Sequence, residues 1–163
     1  MEHPKESPKV CCFAQYWFRK LGHISGMASN NSEPKQDQIT VLCIDEGEPA
    51  LTDRTALLES AGYRVFPAAD ANAAMRLFVS HEIDLVLSNN HLRGVSGAEL
   101  SIFMKQVKPV HVVLLSNSCQ IPADLLRQVD ACIEQDGPAK DLLLCLQQVL
   151  PKQSTVNKVT PYC

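Results

Sequence analysis

Ile39-Thr-Val-Leu-Cys-Ile-Asp-Glu46 is an apolar run, broken only by Thr40, that ends on two adjacent acids. A short continuous run of this kind reads as a strand buried on both faces. Four more follow it: Tyr63-Arg-Val-Phe66, Ile83-Asp-Leu-Val-Leu87, Val110-His-Val-Val-Leu-Leu115 and Ala131-Cys-Ile133. Between them apolar residues recur at helical spacing over Ala50 to Ser60, Asp70 to Ser80, Gly97 to Gln106, a short Pro122 to Gln128, and Pro138 to Leu150. Strands alternating with helices predict crossover units, and hence an α/β fold: a doubly wound, five-stranded parallel sheet in three layers, α/β/α. Such a sheet carries its functional residues outside the carboxyl ends of the strands.

The 163 residues suit one ordinary domain, and 45% hydrophobic with 20% charged residues is the balance of a soluble globule. A net charge of -3 gives no basic footprint for nucleic acid. Residues 28 to 38 have no large apolar side chain and read as a linker, so the predicted organisation is an extension and linker over 1–38, disordered or forming a short helix. A domain over 39–150 and a disordered tail over 151–163 complete it. Val10 to Phe18 is too short and too polar to cross a membrane, which points to a cytoplasmic protein. Of the seven cysteines, Cys43, Cys132 and Cys145 lie within apolar runs and read as buried thiols rather than a disulfide framework. Cys11 and Cys12 lack partners at zinc-ligand spacing.

The predicted strand ends carry Asp45-Glu46, Ser88-Asn89-Asn90-His91, Ser116-Asn117 and Glu134-Gln135. Adjacent carboxylates at such a position can hold magnesium through oxygen ligands. With Asp84-Leu-Val-Leu-Ser-Asn-Asn-His-Leu-Arg-Gly-Val-Ser-Gly97 and Leu57-Leu-Glu-Ser-Ala-Gly-Tyr-Arg-Val65, these ends make about two thirds of the chain resemble a response-regulator receiver domain of the two-component family, a flavodoxin-like fold. In that family a strand-three aspartate accepts phosphate from a histidine kinase and the acidic pair holds magnesium. A strand-four Ser or Thr senses the phosphoryl group, and a strand-five lysine pairs with it. The matching positions here are Asn89, Asp45 with Glu46, Ser116, and Gln135.

An amide is neither a nucleophile for an acyl phosphate nor an anionic metal ligand, and Gln135 carries no positive charge. Cys132 stands where the family often has an aromatic switch residue, and Arg93 where the loop usually has proline. The resemblance therefore implies a degenerate receiver, a pseudo-receiver, that is not an enzyme. It would have no cofactor beyond weak magnesium at Asp45 and Glu46, and would serve phosphorelay signalling by binding protein. The partner would be a histidine kinase, another regulator or a second copy, with neither nucleic acid nor membrane involved. Asn89 and Gln135 together remove one negative and one positive charge, so the two could bridge by hydrogen bonds without a metal, or the pair could reflect simple decay of an unused site.

Other readings compete. Phosphorylation could move to Ser88, Ser116 or Asp45. Asn89-Asn-His-Leu-Arg-Gly94 is similar to the D-x-H-x-x-G motif of cobalamin-binding domains, but with Asn for Asp and after the wrong strand. A nucleotide enzyme needs a glycine-rich loop after the first strand, where Glu46-Gly-Glu-Pro49 offers one glycine between acids. The last helix, with Leu142, Leu143, Leu144, Cys145, Leu146, Val149 and Leu150, is apolar over a broad face, expected mainly to cover the sheet.

Overall fold

In the computed structural model, residues 38–117 and 121–150 are described, and the expectations for 1–37 and 151–163 lie outside them. β1 (Thr40–Ile44) is buried along its whole length, as its unbroken apolar run requires. It is followed by α1 (Glu48–Ser60), β2 (Arg64–Ala68), α2 (Ala71–Ser80) and β3 (Leu85–Asn89). A small ribbon, β4 (His91–Leu92) and β5 (Val95–Ser96), leads into α3 (Gly97–Val107). β6 (His111–Leu115), the one-turn α4 (Ala123–Leu126), β7 (Ala131–Ile133) and α5 (Ala139–Val149) complete the order.

Five strands pair in parallel in the order β2-β1-β3-β6-β7, the predicted doubly wound sheet. The antiparallel β4–β5 ribbon has no counterpart among the predicted strands, because each arm is only two residues long. Gly94, at φ 79°, takes the left-handed conformation its turn requires.

Strand pleating divides the core in two. Val41, Cys43, Leu85, Leu87, Val113 and Leu115 pack with Leu51 and Leu58 of α1 and with Leu142 and Leu146 of α5. The alternate residues, Leu42, Ile44, Val86, Val112 and Leu114, are equally buried and face the other way. α2 and α3 cover that second face, burying Met75, Phe78, Leu100 and Met104. As expected, most of α5's apolar face covers the sheet; Leu144 is its exposed residue, at 54%. Asp70 caps α2, its Oδ1 accepting from the Ala73 N–H at 2.7 Å. Among the described residues no helix is long and apolar enough to cross a membrane.

The cysteine reading needs one correction. Cys43 is fully buried, but Cys145 is only partly so and Cys132 is exposed. β7 pairs only with β6 and ends the sheet, so an apolar run in it is covered less completely than one in a central strand.

Candidate functional site

Strand parity and strand order build the site. Asp45 directly follows β1 and Asn89 ends β3, the adjacent strand, with Ile44 in register with Ser88. Both continue the odd-numbered face that looks toward α1. The two side chains meet there: Asn89 Nδ2 lies 3.4 Å from Asp45 Oδ1, and Asn89 Oδ1 accepts from the His91 N–H at 3.0 Å. Both residues are buried, Asp45 at 2% exposure and Asn89 at 6%.

Asp45 has a further partner that the sequence reading missed. Arg54 lies on the inward stripe of α1 with Leu51 and Leu58. Its Nη1 donates to Asp45 Oδ2 at 2.7 Å, with only 9% and 3% of the two side chains exposed. The available signal was an arginine in an otherwise apolar i, i+3, i+7 stripe, facing the strand that delivers the acid. Arg54 also neighbours Cys43: burial pushes that thiol up to about 12, although the guanidinium pulls the other way.

The second acid is engaged too. Glu46 Oε1 accepts from the Arg93 backbone N–H, and Oε2 lies 3.4 Å from Arg93 Nε. The Arg93 side chain is 94% exposed, so its charge adds little, and the main-chain bond does the positioning. Asn90 fastens the loop: its Oδ1 accepts from Ser96 Oγ at 3.1 Å and from the Ala98 N–H at 3.3 Å.

Ser116 is buried just beyond β6, one residue after Leu115, which is in register with Asn89. Gln135 lies further off, past β7, its backbone N–H donating to Asn117 Oδ1 at 3.1 Å. The expected Asn89–Gln135 bridge is therefore absent, and Asn89 turns to Asp45 instead. β6 lies between β3 and β7, and Gln135 lines the space between α1 and α5 instead of turning to Asn89. Cys132 is exposed, and a cysteine there supplies no aromatic ring to the site. Beside Gln135 a cavity of about 540 Å³ opens between α1 and α5, with Leu57, Leu115 and Leu142 in its wall and Asp53, Glu134 and Asp141 at its margin.

The residues present do not suit a divalent cation. Magnesium takes oxygen ligands at about 2.0–2.1 Å, usually including one or two free carboxylates. Here Asp45 is already paired with a guanidinium, and Asn89 directs its NH2 group toward it. Among the described residues no group of three or more His, Cys, Asp or Glu side chains could hold a metal ion. The magnesium expected at Asp45 and Glu46 thus lacks a suitable donor set.

No family model matches the chain. Among solved structures it is similar to the signal receiver domain of an HD domain-containing protein from Pseudomonas fluorescens Pf-5, at 27% identity and TM-score 0.64, covering 74% of this chain and 92% of that one. A two-component response regulator from Clostridium difficile aligns at TM-score 0.66 and 19% identity, over 72% of this chain and all of the other. The response regulator TrrA of Thermotoga maritima, solved with magnesium and beryllium fluoride, aligns at TM-score 0.65 and 20% identity, over 69% of this chain and all of the other. A curated relative, the virulence sensor protein BvgS of Bordetella pertussis, is 32% identical over 76 residues, which is 45% of this chain. The chain spans only 6% of that protein's length. The fold is that of the response regulator receiver domains, its five-stranded parallel sheet and flanking helices matching theirs.

Proposed function

We propose that this chain is a receiver-type module of phosphorelay signal transduction that works without phosphorylation, by binding a protein partner in the cytoplasm rather than by catalysis. The observation that carries this reading is Asn89, at the end of β3 and against Asp45, where the receiver resemblance calls for a phosphate-accepting aspartate. An amide cannot form the acyl phosphate, and Gln135 cannot neutralise a phosphoryl group. The partner is a histidine kinase, another regulator or a second copy of the chain, and it meets a surface that is already formed. The cavity between α1 and α5, with its carboxylate margin, is part of that surface.

Intact-mass measurement after incubation with magnesium and acetyl phosphate tests this. The wild-type chain is expected to keep its mass. A phosphoryl adduct on the wild type would overturn the reading, and fragmentation would then show whether Ser88, Ser116 or Asp45 carries it.

A further inference from the structure

A buried carboxylate needs a counter-charge, because transfer of an isolated ion out of water costs several kcal/mol. In this chain the counter-charge of Asp45 is a side chain. Arg54 reaches it at 2.7 Å from the inward face of α1, and the Gly47 N–H and Asn89 Nδ2 bind the other carboxylate oxygen at 2.9 and 3.4 Å. Each oxygen thus has at least one donor, and a buried guanidinium already lies within 2.7 Å of the carboxylate. A second cation there would be repelled as well as short of ligands.

We infer that Arg54 is the resident cation of this pocket: it takes over the charge-neutralising role of a metal and closes the acidic site to divalent ions whatever residue stands at position 89. The inference rests on the proposed phosphorylation-independent role and extends it. Asn89 is one of two blocks, and restoring an aspartate there does not by itself restore a metal site. The guanidinium ties α1 to the end of β1, so the pocket holds one charge-balanced arrangement with no exchangeable ion.

The test is manganese binding by isothermal titration calorimetry, with the 163-residue chain as wild type, Asn89→Asp, Arg54→Met/Asn89→Asp and Arg54→Gln/Asn89→Asp. Asn89→Asp is expected to bind no tighter than about 1 mM. Removing Arg54 in the Asn89→Asp background is expected to gain at least about tenfold in affinity, and magnesium should then raise the melting temperature only where Arg54 has been replaced. The glutamine version covers the case in which methionine leaves Asp45 too poorly solvated to fold. Tight binding by Asn89→Asp with Arg54 intact would overturn the inference, as would failure of every Arg54 variant to gain affinity. Neither result resembles the failure of the functional proposal, which would appear as a phosphoryl adduct on the wild type.

Discussion

Replacing Gly97 with alanine should damage both the fold and the site. Gly97 opens α3 directly against the end of β3, its N–H donating to the Asn90 carbonyl at 2.9 Å. A Cβ there would lie 1.9 Å from the Asn89 carbonyl oxygen and 2.7 Å from Ser88 Oγ. A carbon–oxygen contact needs about 3.3 Å, so the space is short by about 1.4 Å against main chain, which no rotamer change relieves. α3 must slide away from β3, loosening Leu100 and Met104, which are fully buried. Overpacking costs about 1–3 kcal/mol, and the upper end applies here, offset by up to about 1 kcal/mol from alanine's better helix propensity. With a urea m-value of about 1–3 kcal/mol/M, the unfolding midpoint should fall by about 1 M. Gly47→Ala is the control, because its Cβ would meet Asp45 Oδ1 at an ordinary 3.4 Å. Circular dichroism during urea unfolding reads both; coincident midpoints for the two variants would refute the close-approach argument.

Surface Asp130 should contribute stability that acid removes. Burial opposes its ionisation, but the hydrogen bonds from Lys105 and the Val112 N–H, with the charges of Lys105 and His111, hold the carboxyl below its usual 3.8. A depressed carboxylate stabilises above its unfolded-state pKa and loses that contribution as pH falls through the folded value. Asp130→Asn should therefore cost about 0.5–1 kcal/mol at neutral pH, with the gap to wild type closing below pH about 3.8, and urea midpoints across that range check it. For the thiols, Cys43 is fully buried with its pKa pushed up to about 12, whereas Cys132 is exposed. Iodoacetamide at pH about 8 should alkylate Cys132 at least about a hundredfold faster than Cys43, and peptide mapping that finds equal rates in the folded protein would contradict the burial.

Much of the fold was legible because its determinants are local. Continuous apolar runs and helical spacing placed each main strand and helix within about two residues, the usual uncertainty of element ends. The same runs carried Asp45, Asn89, Ser116 and Gln135 to the carboxyl ends of their strands, since a residue's place along a parallel strand follows from the run it terminates. The replacement of a carboxylate by an amide at position 89 is likewise plain in the sequence.

What the sequence left open depended on which strands and helices become neighbours. β3 lies beside β1 but two strands from β7, so Asn89 bonds to Asp45, and the charge symmetry between positions 89 and 135 becomes no contact. Cys132 sits in a run that reads as buried, and only the terminal position of β7 exposes it. Arg54 is one cation among 15 lysines and arginines until α1 packs on β1 and turns it onto a buried acid nine residues earlier. Periodicity reports which face of an element is apolar. The partner that a buried charge finds is set by packing between elements, where desolvation makes one 2.7 Å contact decisive for the chemistry of the pocket.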